Sequence, residues 1–262
     1  YLHTKYAVDA MKKGCHVFIE KPICLNEEEA KILLETQKET GVKVQVGQVI
    51  RFWDEYCWVR DAYKSGKYGE IISGVFQRLS SNPKWSWDNW YNDPERSGTM
   101  ALDLHVHDVD YVRYLLGGEP DSVMSQATRN KDGVLEQIFT NYTYGDAVIT
   151  VEGCWDYPSD FPFAMNFRIK FEKATAEYFG GKLTVYDVEG GKFEPEFNNE
   201  SDADVDTGIN VSGLGPYGNE IRYFVNEIIN GNGPEIAPLS EAIESVRLAW
   251  KEIEIAGGKV SE

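Results

Sequence analysis

Long apolar runs, basic clusters and paired cysteines are all missing from this sequence. No apolar stretch approaches the ~20 residues that a membrane span needs, so we expect no membrane association. Lysine and arginine number 26 against 43 aspartate and glutamate, giving a formal net charge of -17. Because nucleic-acid binding depends on clustered positive charge, we expect no nucleic-acid partner. The four cysteines form no CxxC pair, which predicts free thiols and a cytoplasmic location.

Histidine is also scarce, with four in the chain. His105 and His107 form an HxH pattern, which occurs in metal sites. Residues two apart on a helix point about 200° apart, so the pair could not chelate one ion there. The sequence therefore predicts no metal site, and a metallohydrolase is the weakest of the alternatives.

A dinucleotide-binding loop is missing from the front of the chain. The sequence begins at Tyr1, inside a helical pattern, without an initiating methionine. Residues 213–218 match G-x-G-x-x-G literally, but a polar, acidic stretch precedes them. Because the fingerprint must follow an apolar strand, we interpret this match as a glycine-rich loop before a helix.

The first 47 residues follow a strand–helix–strand order. Residues 15–19 form a short, mostly apolar run, and Asn26 with Glu29 predicts the start of a helix that ends at Gly41. Residues 42–46 alternate as a second strand. This order is typical of a βαβ unit, so residues 1–47 are predicted to be part of a doubly wound, Rossmann-type α/β domain.

Residues 48–262 change to a different pattern, which predicts an α+β domain. A helix is expected over residues 100–116, and period-two strands dominate residues 123–197, with a hairpin turn at Gly145 and Asp146. Helices are expected over residues 219–229 and 240–255, after an acidic loop. The predicted fold is α/β followed by α+β with a large, mostly antiparallel sheet, and its cleft lies between the two parts.

Asp103 and His107 are four residues apart and would share one face of the predicted helix. Histidine is the usual side chain for moving a proton at neutral pH, and a carboxylate one turn away can orient it or hold a substrate hydroxyl. An ordinary ion pair on an exposed helix face explains the spacing equally well.

Lys21 follows the first predicted strand and precedes Pro22, which favours an extended conformation at Lys21. Ligands bind at the carboxyl ends of parallel strands, where a lysine could donate to a substrate oxygen. An exposed loop lysine is the plainer alternative. Trp85, Trp87 and Trp90 could wall a sugar-sized pocket, or belong to a subunit interface or the core.

Taken together, these motifs resemble the glucose–fructose oxidoreductase / inositol dehydrogenase / MocA-type family. The resemblance starts with His3, Ala7, Ala10 and Gly14 leading to Glu20-Lys21-Pro22, and continues at Gly47, Arg51 and Phe52. It includes Trp90 and residues 97–110, which carry D-x-x-x-H-x-x-D at Asp103, His107 and Asp110. It ends with Tyr217, Glu220, Phe224, Gly231 and Pro234.

The resemblance implies an NAD(P)-dependent dehydrogenase that acts on CH–OH groups of sugars or polyols such as inositols. It implies catalytic roles for Lys21, Asp103 and His107, and cofactor contacts from His3, Glu20, Lys21 and Pro22. Substrate contacts would come from Arg51, Trp90, Asp103 and His107. NAD or NADP would carry the hydride, and the large sheet would form a homo-oligomer.

Two departures from the family pattern change these expectations. Thr99 and His105 stand where many members have glycine, so the pocket shape could differ. The glycine-rich loop is expected before Tyr1, within a missing front of roughly 60–70 residues, which predicts an N-terminally truncated chain with an incomplete cofactor site. Residues 15–19 would then be an exposed sheet edge. A non-catalytic binding or oligomerisation module is the alternative function.

Overall fold

A computed structural model describes residues 1–197 and 215–259. The chain begins with α1 (His3–Lys12), β1 (Val17–Glu20), α2 (Glu27–Thr40) and β2 (Val44–Gly47). β1 and β2 are parallel, with Val17 opposite Val44. The predicted Rossmann-type βαβ unit is therefore confirmed.

The ends of α2 form as the sequence predicts. The Asn26 side chain accepts a hydrogen bond from the Glu29 backbone N–H, and Gly41 ends the helix in the left-handed conformation. Along β1, Val17 and Ile19 are buried. In the part of the chain that the structure describes, β1 pairs only with β2, so its other edge has no strand partner.

The second part of the chain is built around an eight-stranded sheet with the order β10-β9-β8-β7-β3-β6-β5-β4. Its strands are β3 (Ile71–Ser81), β4 (Ser122–Arg129), β5 (Leu135–Tyr144), β6 (Ala147–Tyr157), β7 (Ala164–Phe171), β8 (Ala174–Phe179), β9 (Lys182–Asp187) and β10 (Gly191–Phe193). β3 and β6 pair in parallel at the centre, and the other neighbouring strands are antiparallel. The large, mostly antiparallel sheet is confirmed, as is the β5–β6 hairpin.

Helices and irregular segments pack against this sheet. The helices are α3 (Asp54–Lys64), α4 (Pro94–Ser97), α5 (Val106–Leu116), α6 (Gly215–Ile229) and α7 (Leu239–Ile255). The predicted helix over residues 100–116 differs at its start, because Ala101–His105 form a π-helical turn before α5. Most of the predicted acidic loop, and Gly213 of the G-x-G-x-x-G match, lie outside the described residues.

Two hydrophobic clusters form the core, and they do not follow the sequence boundary near residue 47. The first cluster combines Ala7, Met11 and Leu33 of the βαβ unit with Ile243 and Trp250 of α7. The second lies between the large sheet, α3 and α5. α7 therefore packs against the first part of the chain as well as the second. None of the described helices has the length and apolar character that crossing a bilayer requires.

Candidate active site

A cavity of about 650 Å³ lies where the carboxyl end of β1 meets the segment that leads into the π-turn. This volume is in the usual range for small-molecule sites. The predicted site residues along its wall are His3, Glu20, Lys21, Pro22, Trp90 and Asp103. The fold thus brings together residues that are about 80 positions apart in the sequence.

Lys21 and Asp103 are in direct contact in this cavity. The Lys21 ammonium donates to the Asp103 carboxylate Oδ1 at 2.9 Å and to the Asp103 backbone oxygen at 2.5 Å. Both side chains keep some exposure, 16% for Lys21 and 19% for Asp103. The alternative of Lys21 as an ordinary exposed loop lysine is therefore wrong.

Asp103 and His107 are positioned by the π-turn and the start of α5. Asp103 lies inside the turn, and His107 is the second residue of α5. The ion pair of Asp103 is with Lys21, and no ion pair joins it to His107 among the residues that the structure describes. The exposed i,i+4 ion pair considered from the sequence is therefore wrong.

His107 is largely enclosed, and this sets its protonation state. Burial, followed by the positive charges of Lys21 and Arg78, lowers the pKa of His107 well below its ordinary value of 6.5. The Nδ1 atom is buried without a hydrogen-bond partner in the described part of the chain. His107 is therefore neutral at pH 7 and able to accept a proton.

His3 and Glu20 form the side of the cavity next to the βαβ unit. The His3 Nδ1 lies 2.8 Å from the Pro22 carbonyl oxygen, which fixes the ring against the turn after β1. Glu20 turns across the end of β2, where a Cβ atom on Gly47 would lie 2.9 Å from its Oε2. Glycine at position 47 thus leaves room for the carboxylate.

Two tryptophans, Trp87 and Trp90, line one side of the cavity. Trp90 stacks on Tyr91, with ring centroids 4.1 Å apart, and Trp87 reaches the same cavity. Trp85 and Trp87 are 78% and 77% exposed, so the core alternative is wrong for both. Aromatic faces beside the charged pair of Lys21 and Asp103 suit the C–H faces of a sugar ring.

Arg51 is not brought to this cavity. Its guanidinium donates to both carboxylate oxygens of Asp110, at 2.8 and 2.7 Å, and stacks on Tyr114. Only 2% of the side chain is exposed. The structure therefore gives Arg51 a scaffolding contact in place of the expected contact with substrate.

The two histidines of the HxH pattern have different surroundings. His105 is fully buried, and its Nε2 lies 2.6 Å from the Glu252 carboxylate. Among residues 1–197 and 215–259, no group of three or more His, Cys, Asp or Glu side chains is arranged to hold a metal ion.

Three further residues near the cavity were not predicted as site residues. Tyr91 and Tyr217 line the cavity, and burial followed by the charges of Asp103 and Glu20 raises the pKa of Tyr91 to about 12. Glu220 is buried in α6, and burial followed by the charge of Glu20 raises its pKa to about 8. The closing sequence pattern contained Tyr217 and Glu220, but it carried no indication that α6 faces β1.

Comparison with known proteins connects both parts of this site to one family. The sequence model described as "GFO/IDH/MocA C-terminal domain" matches residues 56–177, and "Oxidoreductase family, NAD-binding Rossmann fold" matches residues 1–48. The chain belongs to the GFO/IDH/MocA family. This family contains sugar and polyol oxidoreductases with an NAD-binding domain.

Individual relatives differ in the length that they share with this GFO/IDH/MocA chain. It is 35% identical over 123 residues to 2,7-anhydro-N-acetylneuraminate hydratase of Escherichia coli (strain K12), covering 47% of this chain and 33% of the relative. It is 26% identical over 252 residues to scyllo-inositol 2-dehydrogenase (NAD(+)) of Bacillus subtilis (strain 168), covering 92% and 68%. The chain thus spans about a third of the first relative and about two thirds of the second.

The fold agrees with solved structures of the family. An inositol dehydrogenase homolog complexed with NAD+ from Azotobacter vinelandii superposes with a TM-score of 0.81 at 18% identity. The match covers 98% of this chain and 74% of that one. At this identity the likeness shows the fold alone.

The residues expected to contact a nicotinamide dinucleotide lie together where β1 ends at the cavity. The parallel strands β1 and β2 end at the cavity, and His3, Glu20, Lys21 and Pro22 line it there. The turn after β1 contains Glu20, Lys21 and Pro22 and has no glycine, so this turn is not a diphosphate cradle.

Proposed function

We propose that this chain acts as an NAD- or NADP-dependent dehydrogenase that moves a hydride to or from an alcohol carbon of a sugar or polyol. The observation that carries the proposal is the contact between Lys21 and Asp103 inside a cavity that the β1 carboxyl end and Trp90 also line. The bound dinucleotide would supply the hydride acceptor or donor.

Lys21 is proposed to hold the reacting oxygen. An ammonium group carries three N–H donors, and two of them point to the Asp103 carboxylate and backbone oxygen. The third remains for a substrate hydroxyl or for the alkoxide that develops during oxidation. A fixed positive charge at this oxygen stabilises that negative charge.

His107 is proposed to take the hydroxyl proton. It is neutral because its pKa is lowered by burial and by Lys21 and Arg78. We assign the transfer to Nε2, since Nδ1 is enclosed. Asp103 would accept a hydrogen bond from a neighbouring hydroxyl, and Trp90 would pack against the ring. His3, Glu20 and Pro22 would contact the nicotinamide end of the cofactor.

The central experiment measures reduction of NAD and NADP with a panel of inositols and aldoses, using the protein as its host produces it. His107→Asn should lower kcat by about 10²–10⁴-fold, because a general base is lost. His16→Asn is the matched control, since His16 is exposed and precedes the amino end of β1, whereas the cavity lies at the carboxyl end of that strand. No hydride transfer by the folded wild-type protein with any substrate would favour the non-catalytic binding module instead.

The chain from Tyr1 to Glu262 is proposed to be incomplete for cofactor binding, because the turn after β1 offers no glycine-rich cradle. Calorimetry of this chain with NADH and with NADPH should give weak binding or none. Micromolar binding of either would contradict this part of the proposal.

We also propose a homo-oligomer through the large sheet. Met124, Phe139 and Val148 lie on β4, β5 and β6 and alternate with buried residues, so they occupy the face away from the helices. They are 67%, 39% and 48% exposed. A uniform monomer in sedimentation equilibrium at micromolar concentration would contradict the oligomer.

A further inference from the structure

A fully buried polar cluster lies behind the π-turn and outside the proposed catalytic set. It consists of His105 at the end of the turn, Glu252 of α7, and Tyr142 and Thr140 of β5. The His105 Nε2 lies 2.6 Å from Glu252 Oε2, and the Tyr142 hydroxyl donates to Glu252 Oε1. The Glu252 carboxylate thus connects the π-turn to α7 and to β5, which are both distant from the turn in the sequence.

The protonation of this cluster follows from its contacts. Both oxygens of Glu252 accept hydrogen bonds, which suits a carboxylate. The His105 Nδ1 is buried and has no partner among the described residues, so a proton there would be unsatisfied. The contacts therefore favour the His105 tautomer with its proton on Nε2, from which it donates a hydrogen bond to Glu252.

The space for the His105 ring comes from Gly153 of β6. A Cβ atom at position 153 would lie 2.8 Å from both Cβ and Nδ1 of His105. The ring therefore packs directly on the β6 backbone. His105 is held on one side by this strand and on the other by the hydrogen bond to Glu252.

The cluster is well placed to control the site. Asp103 is two residues before His105, and His107 is two residues after it. The turn itself follows Gly98 and Thr99, which have left-handed φ values of 69° and 57°. Thr99 is strained in this conformation, so the approach to the turn needs contacts that hold it in place.

Apolar side chains could fill this part of the core at a lower desolvation cost than a buried carboxylate and its partners. A buried polar cluster instead restricts the geometry, because its hydrogen bonds form at defined distances and angles.

We propose that His105, held by Glu252 and Tyr142, is a positioning residue that sets the π-turn so that Asp103 and His107 face the same substrate. This inference rests on the proposed function. It concerns how the chain places its proton-transfer groups and not the identity of the sugar or polyol.

The test compares two tyrosines of the same strand. Tyr142→Phe removes one donor to Glu252 and leaves it free to turn away from His105. Tyr144→Phe is the matched control, because its hydroxyl donates to the Gly118 carbonyl at 2.9 Å, away from the turn. Glu252→Gln is the conservative variant, since an amide can still accept from His105 and donate to Tyr142.

Two readouts are needed, kcat and the NMR signals of the His107 ring. With four histidines in the chain, the His107 signals can be assigned by comparison with His107→Asn. Tyr142→Phe should lower kcat by about tenfold and shift the His107 signals, because small displacements of catalytic groups are costly. Glu252→Gln should retain most of the activity, and Tyr144→Phe should leave both readouts unchanged.

The outcomes separate this inference from the proposed function. If the wild-type protein transfers no hydride but Tyr142→Phe still shifts the His107 signals, positioning is supported and the proposed reaction fails. If Tyr142→Phe and Tyr144→Phe lower thermal stability alike and leave His107 and kcat unchanged, His105 has only a structural role and the inference is overturned.

Discussion

Asp103 and Asp108 lie five residues apart, and each pairs with a positively charged side chain of another element at 2.9 Å, yet the two pairs differ in burial and in hydrogen bonding. Arg78 binds Asp108 through two hydrogen bonds, at 2.9 and 3.0 Å, with 4% and 0% of the side chains exposed. Lys21 binds one carboxylate oxygen of Asp103 inside an open cavity. The Arg51–Asp110 pair resembles the first kind.

This difference separates ion pairs that only stabilise the fold from a pair that can also take part in the reaction. A bidentate arginine has both carboxylate oxygens occupied and excludes water, so the pair can only hold α5 against β3. A lysine with a spare donor and a carboxylate with a free oxygen can still bind a ligand. The resemblance alone assigned Arg51 to substrate, and its buried pairing with Asp110 shows how much the surroundings of a charge decide its role.

The largest effect is expected on stability, for the buried Arg78–Asp108 pair. Arg78→Met should lower the free energy of unfolding by about 3–5 kcal/mol, because Asp108 would remain buried without a partner. Urea denaturation measures this loss. The double variant Arg78→Met with Asp108→Leu should recover most of it, and a loss below about 1 kcal/mol for the single variant would contradict the scaffolding role.

Substitution in the partly exposed Lys21–Asp103 pair should affect activity more than stability. Lys21→Met should lower kcat/KM by about 10²–10³-fold, since the reacting oxygen loses a charged donor. The free energy of unfolding should change by less than about 1 kcal/mol, because the pair is partly exposed. Lys31→Met is the control for removing an exposed lysine charge. A large loss of stability with unchanged activity would show that Lys21 has a structural role and not a catalytic one.

A smaller, pH-dependent effect is expected for Glu220, a buried carboxyl group whose Oε2 has no partner among the described residues. Its pKa is raised to about 8 in the folded state, so the folded state binds more protons than the unfolded state between about pH 4.5 and 8. Stability from this group is therefore present at low pH and lost as the pH rises.

Glu220→Gln removes this titration. The variant should match the wild-type protein near pH 4 and exceed its free energy of unfolding by a margin that grows as the pH rises toward 9. Urea denaturation across this range measures the difference. Equal pH slopes for the two proteins would show that Glu220 is ionised in the folded state and has a partner after all.

The sequence predicted features that depend on neighbouring residues. The Asn26 cap, the left-handed Gly41 and the turn at Gly145 and Asp146 each follow from local backbone preferences, and all three formed as expected. Lys21 was placed at a strand end by the same kind of reasoning, and the structure locates it in the cavity.

Features that depend on distant partners were not predicted. His105 and Glu252 are 147 residues apart, and nothing in either local pattern indicates their contact. The π-turn was also missed, because apolar spacing does not distinguish one extra residue in a turn from a regular helix. Arg51 could have faced a ligand or Asp110, and only the packing of the 3-10 turn Val49–Phe52 on α5 decides between them.

The packing of α7 has a consequence for the order in which this protein can fold. Ile243 and Trp250 complete the same cluster as Ala7 and Met11, and Arg247 pairs with Glu27, 220 positions away. During synthesis the βαβ unit leaves the ribosome long before these partners exist. The surface of this unit that packs on α7 therefore stays uncovered until α7 emerges, so residues 1–47 complete their native packing late.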